Sequence, residues 1–173
     1  MQKINIEIKA HCANPADARQ RLLAAGARFI GEDHQVDTYF KVGQGRLKLR
    51  EGNIENALIH YQRQNEAGPK KSDVRLYASQ PESSLKAVLT AALGILTIVD
   101  KRRAIFFIEN VKFHVDEVEN LGSFVEIEAI GTHSHADEHE LAAQCQHYME
   151  LLRIRPEDLI EHSYSDLLLK AVG

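Results

Sequence analysis

Polar and apolar positions along the chain fall into two periodicities. Four segments repeat apolar residues every three or four positions, the spacing of one helical face. Asn14 before Pro15 opens the first, Ala18, Leu22 and Ala25 form its face, and Gly26 ends it. The second spans 84–94 through Leu85, Val88, Leu89 and Ala92. The third begins near His135 and buries Leu141, Cys145, Tyr148, Met149 and Leu152, while the fourth starts at Pro156 and presents Leu159, Ile160, Tyr164, Leu167 and Leu168. Nine further segments, roughly 4–11, 29–41, 46–51, 57–64, 74–78, 97–103, 104–108, 112–118 and 122–130, alternate with period two and are predicted strands. Short links at 42–45 and 108–110 favour antiparallel pairing over βαβ crossovers. No repeat or long linker divides the chain, so 1–173 reads as one domain of mixed helix and antiparallel sheet.

The polar positions of the strands carry charge of one sign in blocks. Residues two apart in a strand share a face. Asn5, Glu7 and Lys9 therefore lie opposite Ile4, Ile6 and Ile8, and Arg46, Lys48 and Arg50 lie opposite Leu47 and Leu49. Arg63 falls with Ile59 and Tyr61, against His60 and Gln62; Lys101 shares a face with Arg103. Lys112, His114 and Asp116 oppose Phe113 and Val115, and Glu126 and Glu128 oppose Val125 and Ile127. A sheet face open to water would carry mixed small polar groups instead. Cations at i and i+2 sit about 7 Å apart, and at an effective dielectric near 20 each pair costs on the order of 2 kcal/mol unless offset. A bound polyanion would offset it. Four apolar helix faces also need outer sheet surface to cover, which leaves the charged faces on the inside of a curved or closed sheet.

That placement implies a chemistry. Arg46, Lys48, Arg50, Arg63, Lys101 and Arg103 can cradle phosphate oxygens, to which arginine forks are matched. Glu7, Asp116, Glu126 and Glu128 can hold Mg²⁺ or Mn²⁺, which favour carboxylate oxygens and substrate phosphates. Any anion site must be local, because 25 acidic against 21 basic residues give a net charge of −4. The same balance, with no Trp and few aromatics, argues against a nucleic-acid surface. The N-terminus has no apolar signal segment and no stretch reaches the roughly 20 apolar residues of a membrane span, so a cytoplasmic protein without a membrane partner is expected. Cys12 and Cys145, with no CxxC spacing, suit a reducing compartment.

In the order and spacing of these motifs the chain resembles the CYTH family, the triphosphate tunnel enzymes, which joins class IV adenylate cyclases with thiamine triphosphatases and inorganic triphosphatases. The resemblance runs through Asn5-Ile6-Glu7-Ile8-Lys9, set against the family's E-x-E-x-K, then Gln35-Val36-Asp37-Thr38-Tyr39-Phe40, Arg46-Leu47-Lys48-Leu49-Arg50 and Tyr61-Gln62-Arg63. It continues through Val99-Asp100-Lys101-Arg102-Arg103, His114-Val115-Asp116 and the stretch from Leu121 to Glu128. It implies an α+β fold, an eight-stranded antiparallel barrel with amphipathic helices packed outside and a charged tunnel within. It further implies Glu7, Asp116, Glu126 and Glu128 as metal ligands, and Lys9, Arg46, Lys48, Arg50, Arg63, Lys101 and Arg103 as triphosphate ligands. Arg75, Lys112 and His114 are added as lining candidates, and 64–73, with Gly68-Pro69-Lys70-Lys71, as a loop at the tunnel mouth. Asn5 replaces the motif's first Glu, and its amide ligates a hard cation without supplying charge.

The implied substrate is a nucleoside triphosphate or another organic or inorganic triphosphate, the cofactor Mg²⁺ or Mn²⁺, and a homodimer is admitted. A class IV adenylate cyclase making cyclic AMP and pyrophosphate from ATP is the first expectation. A thiamine or inorganic triphosphatase is the second, and a non-catalytic triphosphate-binding module the third. Lys9 is the candidate catalytic group, crowded by cations that depress its pKa, with phosphate binding as its plainer role. His135, Glu138 and His139 match an inverted zinc-protease pattern but read as the acidic opening of a helix. Gly68-Pro69-Lys70-Lys71-Ser72 lacks the spacing of a phosphate-binding loop.

Overall fold

The alternating segments form β1 (Gln2–His11), β2 (Arg28–Phe40), β3 (Arg46–Glu51), β4 (Ala57–Arg63), β5 (Lys70–Ala78), β6 (Ile95–Ile108), β7 (Val111–Val118) and β8 (Gly122–Gly131). They come from a computed structural model that describes residues 2–63, 65–131 and 137–172. The eight strands close into one antiparallel barrel in the order β1-β5-β4-β3-β2-β6-β7-β8, so each has hydrogen-bonded neighbours on both sides.

Most strand ends fall within about two residues of the sequence expectation, and two strands differ by more. Segments 97–103 and 104–108 are the single strand β6, which pairs with β2 across register shifts at Phe29/Gly31 and Tyr39/Phe40. Alternation carries through position 103 without a turn residue, so nothing breaks the ladder there. β5 begins at Lys70 instead of Val74, because Lys70 to Asp73 pair with β1, Glu7 lying opposite Lys70 and Asn5 opposite Ser72. This polar stretch has no apolar alternation to announce it. The loop expected at the tunnel mouth is shortened to residues ahead of Lys70 and lies by Arg46 and Glu161, at the end of the barrel where Ile160 and Tyr164 pack; Gln64 lies outside the described residues. Buried Lys70 donates to the backbone oxygens of Glu66 and Glu161, each at 3.2 Å.

Helix α1 (Pro15–Ala24) is capped by Asn14, whose side chain accepts from the Asp17 amide at 3.1 Å, and the chain leaves it through Gly26 at φ +86°. Its Ala18 and Leu22, with Leu141, Cys145 and Met149 of α3 (Glu138–Leu151), pack on the outward residues Ile4, Ile6, Ile8, Phe113 and Ile127. Each large aliphatic or aromatic side chain buried there contributes about 1.5–3 kcal/mol. Asp137 caps α3 by accepting from the His139 amide at 2.9 Å, which is the cap reading of that acidic stretch; His135 lies outside the described residues.

The other two helices depart from the expectation of four outer covers. α2 (Leu85–Leu93) packs on β2 yet buries no residue fully. The fourth helix is split. Residues 156–158 make one 3-10 turn, Leu159 bridges Ala10, the Ile160 amide donates to the Lys9 carbonyl at 2.9 Å, and only then does α4 (Tyr164–Val172) begin. Strand-like bonding to the end of β1 wins over helix for 159–160, and it delivers Tyr164 into the end of the barrel. No helix is long and apolar enough to cross a membrane.

Candidate functional site

The inward positions of the barrel are layered. At one end Tyr39, Ile59, Tyr61, Val99, Val118 and Phe124 pack with Ile160 and Tyr164 into an apolar and aromatic floor. Above it lies a cavity of about 580 Å³ whose wall includes Asn5, Glu7, Lys9, Lys48, Arg50, Arg63, Lys101, Arg103, Lys112, His114, Glu126 and Glu128. Most of the residues picked out on charged faces therefore converge on one lumen. Three do not line it. Arg46 stands near the floor and gives its guanidinium to Asp166 at 2.6 Å. Arg75 points outward, 56% exposed and 3.9 Å from Asp73, because Ser72, Val74 and Leu76 take the inward positions of β5. Asp116 is fully buried behind the wall, where it accepts from Arg103 at 2.8 and 2.6 Å and from the Tyr164 hydroxyl at 2.7 Å.

The cations are not held apart by empty space waiting for a polyanion. Asp37, 1% exposed, accepts from Lys48 and Lys101 at 2.8 Å each and from Nε and Nη2 of Arg50 at 2.9 Å each. It lies directly opposite Arg50 in the β2–β3 register. The repulsion expected between these cations, for which a bound polyanion was the expected offset, is thus met first by a resident carboxylate. Burial opposes ionisation of Asp37, but the three cations outweigh it and hold the carboxyl well below the usual range. Burial dominates at Lys101, where Asp37 only partly compensates, and the amine falls to about 7.

A second unforeseen carboxylate is Glu55, between β3 and β4. It pairs with Lys112, and accepts from Gln35 at 3.0 Å and Arg50 at 3.5 Å. Asp33 fixes this loop by accepting the Ile54 and Glu55 amides at 2.9 Å. Gly52 is required there, since a Cβ would lie 2.7 Å from both an Asp33 oxygen and the Glu55 carbonyl. Asp33, Gln35, Asp37 and Tyr39 share the inward parity of β2, a signal available in sequence. Glu55 has no periodicity to betray it.

The remaining acids gather on β1 and β8, where Glu7 faces Glu128 and Lys9 faces Glu126. Arg63 donates to Glu7, Asn5 donates to Glu128, and Glu126 takes Arg103 at 3.0 Å, His114 at 2.9 Å and Lys9 at 3.3 Å. Burial pushes Glu128 up to about 7; Glu7, Glu126 and Glu55 add to the rise while Lys112 opposes it. Burial also lowers His114 to about 4, Arg103 reinforcing, so this imidazole is neutral at physiological pH.

Among the described residues no three His, Cys, Asp or Glu side chains are already gathered round one point. The donor set nevertheless fits a hard divalent cation: Glu7 and Glu128 are directly opposed, and the buried Oδ1 of Asn5 has no hydrogen-bond partner. Asp116, by contrast, is committed to Arg103 and Tyr164.

Lys9 is where the sequence reading placed a depressed amine, although the cause differs. Its pKa falls to about 8, first through burial and then through Arg63, while Glu126 and Glu7 pull it up. The ammonium also lies 3.7 Å from the centroid of the Tyr164 ring, a cation–π contact that the C-terminal segment supplies.

Similar folds occur in solved structures. A Pyrococcus furiosus protein described only as conserved and hypothetical superposes with a TM-score of 0.80 at 21% identity, covering 94% of this chain and 99% of its own. A candidate adenylate cyclase from Vibrio parahaemolyticus gives 0.74 at 17% identity, over 96% and 98% of the two chains. A candidate adenylyl cyclase from Hippeastrum, described as having a dominant triphosphatase activity, gives 0.63 at 13% identity over 99% and 96%. No curated protein matches the sequence. The CYTH domain profile matches residues 3–164, nearly the whole of a chain already seen to close a charged eight-stranded tunnel, and this protein belongs to the CYTH family.

Proposed function

We propose that this chain is a divalent-metal-dependent triphosphatase, binding a triphosphate along the lumen and releasing orthophosphate. The observation that carries the reading is the convergence of Lys9, Lys48, Arg50, Arg63, Lys101, Arg103 and Lys112 on one cavity with Glu7 and Glu128 opposed on its wall. Those seven cations face six carboxylates, Glu7, Asp37, Glu55, Asp116, Glu126 and Glu128, so the protein alone offers little net positive charge to a guest carrying about four negative charges. A divalent ion held by Glu7, Glu128 and Asn5 would supply that charge and polarise the phosphoryl oxygens.

The chain's own groups account for the rest. Arg50, Lys48 and Lys101 arrive ordered by Asp37 and bind the phosphate chain, while Arg103 and Arg63 stabilise charge gathering on the terminal phosphoryl oxygens. As the ammonium Lys9 binds a phosphoryl oxygen; with the pKa lowered to about 8, the neutral form would serve as the base that takes a proton from the attacking water. Water attacks the terminal phosphorus, one P–O–P bond breaks, and orthophosphate leaves.

Cyclisation of ATP is the second reading, with the same equipment acting on the α-phosphorus. Hydrolysis is favoured because it needs no ribose held in line. The free thiols Cys12 and Cys145 support a reducing, cytoplasmic setting.

Incubation with tripolyphosphate and, separately, ATP in Mg²⁺ or Mn²⁺, followed by phosphorus NMR, tests the proposal. Orthophosphate is the expected product. Cyclic AMP with pyrophosphate would establish the cyclase instead, binding without turnover would reduce the tunnel to a binding module, and no binding would overturn the reading altogether.

A further inference from the structure

Toward the open end of the lumen the charged band thins to the Glu55–Lys112 pair. Above it the cavity wall turns to hydrocarbon: Ile54, Ala57, Leu76, Ala78, Phe107 and Ile130. Register places them together at one mouth. Ala57 pairs with Ala78 across β4–β5, Leu76 stands on the mouth side of the floor residue Ile59, Ile130 lies opposite Asn5 at the end of β8, and Phe107 lies opposite Lys112 near the end of β6. Ile54 and Leu76 are 42% and 37% exposed, against 4% for Tyr39 and Tyr164 at the floor, so this is the end open to solvent.

The polar side chains at this mouth are already engaged. The Asn56 amide spans the Gly52 backbone, accepting from its nitrogen at 3.1 Å and donating to its oxygen at 2.9 Å. Glu55 and Lys112 are bonded to each other. Among the described residues, the free acceptor nearest this mouth is the buried Oδ1 of Asn5, opposite Ile130, which the proposed metal site claims. A base laid against Ile54, Leu76 and Phe107 gains no hydrogen bond from those side chains, whereas an alkyl chain gives up no hydrogen bonds by entering. The cavity, about 580 Å³, is also of the size that holds a whole small molecule, roughly 300–1,000 Å³, not a bare phosphate chain.

We propose that this mouth is an apolar subsite, and that the preferred substrate is a hydrocarbon ester of a triphosphate, an alkyl or isoprenoid chain, over a nucleoside triphosphate. The inference rests on the triphosphatase reading. In that reaction water joins the terminal phosphorus, the outermost P–O–P bond breaks, orthophosphate departs and the alkyl diphosphate remains, with no other reactant needed.

Titration calorimetry in Mg²⁺ with tripolyphosphate, butyl triphosphate, octyl triphosphate and ATP tests it. A methylene half removed from water strengthens binding about twofold. Octyl triphosphate should therefore bind about sixteenfold more tightly than butyl triphosphate, and more tightly than ATP. Leu76→Asn and Ile54→Asn, at half-exposed positions where folding tolerates a polar group, should flatten the dependence on chain length. Equal affinity for the two alkyl esters, tighter binding of ATP than of the octyl ester, or a chain-length dependence unaltered by both substitutions overturns the apolar subsite while leaving the triphosphate reading in place. Failure of tripolyphosphate itself to bind overturns both.

Discussion

Removing the charge of Asp37 should destabilise the empty barrel more than any surface change. Asp37→Asn keeps the shape of the side chain but strands Arg50, Lys48 and Lys101, which now share its two oxygens through four contacts of 2.8–2.9 Å. Breaking a buried ion pair from one side costs about 3–5 kcal/mol. Lys101 has an escape, since its amine is already lowered to about 7 and loses its proton readily; Arg50 has none, because its guanidinium stays charged. The lower end, about 3 kcal/mol, is therefore expected, which at an m-value of about 2 kcal/mol/M lowers the urea midpoint by about 1.5 M. The deficit should grow as pH falls from 8 to 6. A lysine whose folded pKa lies below its unfolded value destabilises the fold when protonated, and losing Asp37 moves that folded pKa lower still. Urea unfolding followed by circular dichroism measures both effects, and tripolyphosphate should restore the variant more than the parent by supplying the missing anion. A midpoint shift under about 0.5 M would refute the idea that Asp37 neutralises the cluster.

Four further outcomes follow from the same network. Tyr164→Phe keeps the ring under Lys9 but removes the bond to Asp116, and a hydrogen bond to a charged group is worth about 1.5–3 kcal/mol, so a loss of about 2 kcal/mol is expected by the same unfolding assay; an unchanged midpoint contradicts it. Glu128 titrates at about 7, above an ordinary carboxylate, so without metal its contribution to stability is complete below its unfolded pKa and disappears as pH rises through 7. Glu128→Gln should flatten that part of the decline in Tm between pH 5 and 8, and parallel curves for the two proteins would count against the raised pKa. Arg63→Ala should weaken tripolyphosphate binding at least about tenfold and Arg75→Ala by less than about twofold, since only the first side chain lines the lumen; equal losses by calorimetry would reverse that assignment. Asn5→Glu, adding a carboxylate beside Glu7 and Glu128, should raise Mg²⁺ or Mn²⁺ affinity in a direct titration, and no gain would remove position 5 from the metal site.

The barrel was legible in the sequence because a strand's period of two is local: Glu7, Lys48, Arg50, Lys101 and Glu128 declare their common parity without knowledge of the pairing. Arg75, added as a lining candidate without a reading of its strand's parity, faces outward, because its apolar neighbours Val74 and Leu76 face inward with Ser72. Pairing is not local. Asp37 was visible as a residue of β2, but that it would sit opposite Arg50 and meet Lys101 from β6 depends on which strands become neighbours. Tyr164 was assigned to an amphipathic helix face, and only the strand-like bonding of Leu159 and Ile160 to β1 turns it into the barrel end beneath Lys9. Glu55 belongs to a loop pinned by Asp33, a contact between side chain and backbone that no periodicity encodes.

A lumen so nearly balanced in charge reconciles two demands that pull apart. A barrel lined with seven unopposed cations would resist closing without its guest, because each would lose hydration and gain only like-charged neighbours. Interleaving Asp37, Asp116 and Glu126 among them lets the empty protein fold, and it fixes Arg50, Lys48, Lys101 and Arg103 by short bonds before any ligand arrives. The side-chain entropy that binding would otherwise have to remove is already gone. The consequence is that affinity must come from exchange. On the proposed reading each phosphate oxygen would gain only the difference between itself and the carboxylate it replaces, and a divalent ion on Glu7 and Glu128 would enlarge that difference by leaving fewer anions to compete for the arginines and lysines. On this argument metal and triphosphate should bind with positive coupling, each tightening the other by the same factor.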